Sequence, residues 1–242
     1  MQEVGYLACH LRTPQQYINY LDPFNCECRV YGRLKEENRE DLAVKVHGYL
    51  ILTPEQETVV TKKILGCDSD DDSDEDKARA ATELDGYNAW GRYEEHRGYP
   101  IRAIVKQLVT DYGPLQAEHF PQMWPDLEGL HKLGILVRDL HVGNYMGGKL
   151  IDFSRSWTMY HPSLDRIRLR DVQEMLQQEA SELEDLLFVW LNRHRTEGVQ
   201  PEVPQSLQDC ALGENGNYGT DPREYDWRKG YAKPGLLLPR MV

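Results

Sequence analysis

No window of this chain approaches the roughly 18 consecutive apolar residues of a membrane span, and the amino terminus lacks a basic start followed by an apolar core. Neither a membrane partner nor a secretory leader is expected. The expectation is a soluble protein of the cytosol or nucleus, with the cytoplasm as first assignment. Cysteine is sparse: Cys9, Cys26, Cys28, Cys67 and Cys210 are odd in number and contain no Cys-x-x-Cys pair. A disulfide framework and a zinc ribbon are both unsupported, and a reducing compartment fits. Positive charge is scarce too, 28 Lys and Arg against 40 Asp and Glu for a net −12, which argues against a broadly basic surface and against DNA as a partner. Local basic patches stay open. No Lys occurs before Lys35, and only Gly5 precedes Gly32. The amino-terminal part therefore lacks a glycine-rich loop to cover phosphates and a lysine to grip them. No internal repeat is visible.

What is present fits one domain or a small two-lobed unit, long enough to bury a sizeable core. Asp22-Pro23-Phe24 punctuates a start, and Val30 and Leu34, four apart with Glu27 a turn earlier, predict a short amphipathic helix. Residues 42–52 read as β-rich with a bend at Gly48, and residues 101–109 as a second strand. Between them, the run from Asp68 to Asp76 is wholly acidic or polar. Such a block repels itself and buries no apolar area, so it reads as a mobile surface loop over 67–80, with a carboxylate or metal cluster as the alternative and Ser69 and Ser73 as candidate acidophilic phosphorylation sites. Met123, Leu127, Leu130 and Leu133 form a helical stripe ending at Gly134. Residues 171–195 predict a second long helix, with Val172, Met175, Leu176, Leu183, Leu186, Leu187, Val189 and Trp190 in the core. From about residue 198 onward Pro, Gly, Asn and Tyr dominate, which predicts an irregular tail that wraps the body or frays.

The stretch that carries chemistry is Arg138-Asp139-Leu140-His141-Val142-Gly143-Asn144, followed by Gly147-Gly148 and Leu150-Ile151-Asp152-Phe153-Ser154. Two adjacent glycines suit a two-residue hairpin, because a primed turn needs positive φ at both central positions. Acid, amide and acid on its two sides can converge on one metal–phosphate site, since a hard cation takes oxygen ligands. The same residue types also serve as caps and turn formers.

These residues resemble the catalytic and metal-binding loops of a protein-kinase-like fold. The resemblance implies an α+β, two-lobed architecture, with a truncated N-lobe over 1–110 and a mainly helical C-lobe over 111–242. Asp139 would be the base, Asn144 and Asp152 the magnesium ligands, and Glu27 the acid of the regulatory helix, with Lys45 and Lys106 as cleft lysines. Val137 and Ser154 depart from the kinase pattern, and the glycine loop and phosphate-gripping Lys are missing.

Residues 24–34, 100–106, 130–135 and 149–158 together resemble a fungal family of small kinase-like proteins, over roughly residues 22 to 165, whose members often carry the label of a kinetochore subunit. Within or near it stand the fungal arginine-containing cyclodipeptide synthases of secondary metabolism. That relationship implies an aminoacyltransferase-type enzyme that draws on arginyl-tRNA and a second aminoacyl-tRNA and requires no cofactor. Asp139, Asp152 and Glu27 would then read the arginine guanidinium. The family's Asp-Asp-x-x-Glu motif matches Asp71, Asp72 and Glu75 inside the acidic tract. Ser154, Ser156 and Cys28 are the nearby nucleophile options, beside direct attack assisted by a carboxylate. Arg155, Arg166, Arg168 and Arg170 either meet tRNA or simply balance the acidic surface. Two alternatives stand: a phosphotransferase or nucleotide-binding pseudokinase using ATP and magnesium, and a non-enzymatic, kinetochore-type scaffold.

Overall fold

The structure, a computed structural model, describes residue 11 and residues 13–65, 99–110, 115–196 and 220–232. It is a mixed α+β chain dominated by helix, and each sheet among the described residues is a two-stranded pair. Two compact units divide it, Val46–Lys106 and the remainder, Met1–Lys45 with Gln107–Val242. The divisions fall after Lys45 and after Lys106, where the sequence suggested one boundary at 110/111.

The larger unit begins with α1 (Pro14–Leu21) and α2 (Pro23–Glu36), separated by Asp22, whose carboxylate accepts from the Asn25 N–H at 3.0 Å. An Asp cap followed by Pro at the first helical position is a favourable start for α2. The helix buries Cys26, Val30 and Leu34 at steps of four, together with Tyr31. Next in this unit, α4 (Phe120–Lys132) buries Phe120, Met123, Leu127 and Leu130, the expected stripe extended by one turn. It stops where expected, because Gly134 takes φ +74°, a conformation that a Cβ penalises, and its N–H donates to the His131 carbonyl at 2.9 Å.

The chain then lays down β3 (Ile135–Leu136), β4 (Tyr145–Met146), β5 (Lys149–Leu150) and β6 (Trp157–Thr158). β3 pairs with β6, and β4 with β5, both antiparallel. The β4–β5 turn has positive φ at both glycines, 54° and 74°, as the Gly147-Gly148 pair predicts. After α5 (Pro162–Arg166), the long helix α6 (Leu169–Thr196) buries Val172, Leu176, Leu183 and Leu187. Val189, expected in the core, is exposed, as is Phe188. Two residues past Leu187 is a rotation of about 200°, which turns Val189 away from the buried stripe. Leu136, Trp157, Met159, Leu164, Ile167, Val172 and Leu176 form one core cluster, and Trp227 of the tail packs against it.

Within the stretch expected to be an irregular tail, Pro222–Glu224 and Trp227–Ala232 form 3-10 turns. In the smaller unit, β1 (Val46–Ile51) and β2 (Arg102–Lys106) pair antiparallel, with α3 (Pro54–Leu65) between them in sequence. The register shifts between Val46 and Gly48, which is the physical form of the expected bend.

Candidate functional site

Loop 137–144 is held from behind by α6. Arg138 sits at φ +68°, unusual for a residue with a Cβ, and its N–H donates to one carboxylate oxygen of Glu179 at 2.7 Å. The other oxygen lies 2.7 Å from His131 Nε2 at the end of α4, and both side chains are buried. One helical turn on, Glu182 accepts from the Leu140 N–H at 3.2 Å. Two carboxylates on one face of a helix thus fix two amides of the loop, and this over-determination is what sustains the strained backbone at Arg138.

The front of the loop is built from its own side chains. His141 Nδ1 accepts from the Gly143 N–H at 3.1 Å, so in the neutral ring the proton is on Nε2, which stands 4.0 Å from Asp139 Oδ1. The Arg155 guanidinium lies 3.7 Å from the same oxygen. Asn144 is buried, donates its amide to the Asp139 carbonyl at 2.9 Å, and accepts the Ile151 N–H at its own carbonyl across the base of the hairpin. Asp152 follows Ile151 and accepts from the Ser154 N–H at 2.7 Å. Asn144 and Asp152 are thereby brought to neighbouring positions, each engaged in turn chemistry.

Glu27 is half-buried on α2. Burial first, then the charges of Glu27 and Asp152, push the Tyr31 phenol well above its ordinary pKa, while its hydroxyl donates to the Ile151 carbonyl at 3.3 Å. Lys45 is exposed on the rim of a recess of about 430 Å³ that Glu40, Asp41, Met146 and Lys149 also line. Lys106 lies on β2 of the smaller unit. Asp71, Asp72 and Glu75, with the tract 67–80 and Ser69 and Ser73, lie outside the described residues. Among the described residues no group of three or more His, Cys, Asp or Glu is placed to hold a metal ion. Of the suggested nucleophiles, Ser156 is buried and donates to the Val137 carbonyl, and Cys28 is half-buried. Arg168 pairs with Asp171 and Arg170 with Glu174 on α6, the charge-balancing arrangement.

Behind the loop runs a stack that the sequence did not announce. The Arg138 guanidinium lies 4.0 Å over the Trp157 ring, Trp157 stacks on His161 at 4.6 Å, His161 meets Tyr20 edge-on at 5.2 Å, and Arg29 covers Tyr20 at 4.3 Å. His161 Nδ1 caps α5 by accepting from the Ser163 and Leu164 N–H groups, which leaves Nε2–H to donate to the Tyr20 carbonyl. Burial, reinforced by the charges of Arg138 and Arg29, lowers the His161 pKa from 6.5 to about 3. The unfolded chain accepts a proton that the folded one refuses between those values. Stability should therefore be fully present above pH 6.5 and fall by about 1.4 kcal/mol per pH unit below it. His161→Asn keeps a capping acceptor without the titration. In denaturant melts, the parent's stability advantage over this variant should shrink by about 2 kcal/mol between pH 7 and pH 5.

Glu179, Glu182, His131 and Arg33 were given no role from the sequence, Arg33 and His131 standing only within the segments 24–34 and 130–135. Glu179 did leave a signal: it falls between Leu176 and Leu183 at helical spacing, an acid inside an apolar stripe.

A family model described as Kinetochore Sim4 complex subunit FTA2 matches residues 2–157. No curated protein and no solved structure matches the chain. The family match overturns the resemblance to kinase-like proteins and to arginine-containing cyclodipeptide synthases, and with it tRNA-dependent synthesis and the aminoacyl-tRNA partners. The acid–amide–acid spacing that suggested them has a local explanation, since Asn144 and Asp152 bond to their own loops. Among the readings open at the sequence level, the match favours the kinetochore-type scaffold.

Proposed function

The chain belongs to the FTA2 family of kinetochore Sim4 complex subunits, and from that premise we propose that it is a non-enzymatic, nuclear subunit whose partners are other proteins of that assembly. The single observation that carries this reading is the extent of the match, which spans both described helices of the amino-terminal part, the smaller unit and the loop–hairpin region. A second observation agrees with it. Within the matched stretch, β1 exposes Tyr49, Leu50 and Ile51 in succession, at 65, 52 and 57 %. A two-stranded sheet with apolar side chains exposed on both faces is what a surface built for protein contact looks like. Under this reading Asp139, Asn144 and Asp152 shape a rigid loop, and ATP, magnesium or any other cofactor has no part in the proposal.

The test is native purification of the tagged chain, together with imaging of a fluorescent fusion. The chain should co-purify with the other subunits of the Sim4 complex and mark discrete nuclear foci. A chain that purifies without them, or spreads through the cytoplasm, overturns the proposal. Asp139→Ala should leave both readouts unchanged, because a surface ion pair of this kind is worth about 0–1 kcal/mol.

A further inference from the structure

The segment 220–232 is seated on the larger unit like a bound peptide. Pro222 is buried, and its carbonyl, with the Tyr225 Cβ, lies against Gly134, where an added Cβ would meet Tyr225 at 2.9 Å and Met159 at 3.0 Å. The Tyr225 ring covers the Arg33 guanidinium at 4.0 Å, and its hydroxyl donates to the exposed Glu37 carboxylate. Burial and that hydrogen bond push the Tyr225 phenol up to about 12, so it stays a donor at physiological pH. Arg223, clasped by Asp221, donates to the Ile167 carbonyl at 3.0 Å. Trp227 packs on Tyr160 with ring centroids 5.3 Å apart.

The backbone of the segment behaves differently from its side chains. Its backbone-to-backbone hydrogen bonds among the described residues are internal: Glu224 to Asp221, Tyr225 to Pro222, Trp227 to Tyr225 and Lys229 to Asp226. Among the described residues no backbone ladder joins it to the body, and the one body carbonyl that its departure uncovers is Ile167, which accepts from the Arg223 side chain. Its attachment is a few anchors, chiefly Pro222, Tyr225 and Trp227, which is how linear motifs bind. The floor beneath it straddles the end of the stretch matched to the family: Arg33, Glu37, Leu133 and Gly134 lie inside it, and Met159, Tyr160 and Ile167 lie beyond it, as does the segment itself.

We propose that the surface formed by the end of α2, the Leu133–Gly134 turn and Met159–Tyr160 is a docking groove for a linear peptide of Pro-Arg-x-Tyr-x-Trp chemistry, and that residues 220–232 occupy it in cis as an exchangeable strap. A protein partner carrying a segment of that chemistry displaces the strap. That the partner is a protein of an assembly rests on the function proposed above; the groove and its occupant do not.

The experiment uses the full chain and a fluorescently labelled peptide of residues 220–232, read by anisotropy. Tyr225→Ala with Trp227→Ala loosens the strap, and this variant should bind the peptide at least tenfold more tightly than the parent chain. Adding Glu37→Ala, an exposed position, should weaken that binding severalfold. Equal binding by parent and loosened variant, or none by a variant that melts cooperatively, overturns the proposal. Hydrogen exchange on the parent chain decides independently of any variant: amides of 220–232 should exchange at least a hundredfold faster than those of α4. Exchange as slow as that of α4 would make the segment part of the global fold and end the idea. Failure of these measurements leaves co-purification with the Sim4 complex untouched, so the two proposals fall separately.

Discussion

Glu179→Ala should lower stability by about 4 kcal/mol, because it leaves the buried His131 ring and the Arg138 N–H without their acceptor in one step. For a chain of this size that corresponds to a fall in Tm of roughly 8–16 °C. The loss has two components of different kind. The first is desolvation, since both Glu179 and His131 are almost wholly buried and no water replaces the lost partner cheaply. The second is backbone strain: Arg138 at φ +68° is held by that hydrogen bond, and without it the loop relaxes toward an ordinary conformation. Hydrogen exchange at residues 138–144 should rise in the same variant. Glu179→Gln should fall between, at about 2 kcal/mol. Its amide oxygen still accepts from Arg138, but its NH2 then faces His131 Nε2, and the ring must move its proton to a Nδ1 that has no partner. If Glu179→Ala melts within about a degree of the parent, the clamp contributes nothing and the account of the loop is wrong.

Arg33→Ala should cost about 3 kcal/mol, or roughly 6–12 °C in Tm. The guanidinium on α2 donates to the Leu133 carbonyl at 2.8 Å and to the Met159 carbonyl at 2.6 Å, tying the end of α4 to the segment after β6. Both bonds are charge-assisted, and their removal strands two carbonyls that no other backbone group among the described residues is placed to satisfy. The same group carries the Tyr225 ring, so the strap should loosen in parallel, and amides of 220–232 should exchange faster than in the parent. Arg33→Lys keeps the charge but offers one ammonium in place of a fork, and should recover no more than about half of the stability. A lysine variant equal to the parent would show that charge alone, without the two-carbonyl geometry, holds this junction.

Local patterns were legible in advance wherever a residue's role depends on its near neighbours. Val30 with Leu34, the Met123-to-Leu133 stripe ending at Gly134, and the Gly147-Gly148 pair each announce their element, because helix period, a left-handed C-cap and a primed turn are short-range requirements. The candidate site was harder. Asp139, Asn144 and Asp152 stand out by residue type and spacing, yet a turn former and a metal ligand are the same residue on paper, and only its hydrogen-bond partner tells them apart. The structure gives Asn144 the Asp139 carbonyl and Asp152 the Ser154 N–H. Val189 misled in the opposite direction, since apolar character reports a preference for burial and not its fulfilment.

By itself the sequence determined three helices of the larger unit (α2, α4 and α6), the hairpin between Asn144 and Asp152 and the two strands of the smaller unit. Only the tertiary structure decided that Glu179 reaches across 41 residues to hold Arg138, that Arg33 reaches 100 to hold Leu133, and that Tyr225 reaches 188 to hold Glu37. The division follows from range. Periodicity and turn chemistry act over a few residues and are written in order along the chain, whereas the partner of a buried charge is whichever group the packed core delivers to it, and that position is fixed by the sum of many weak contacts.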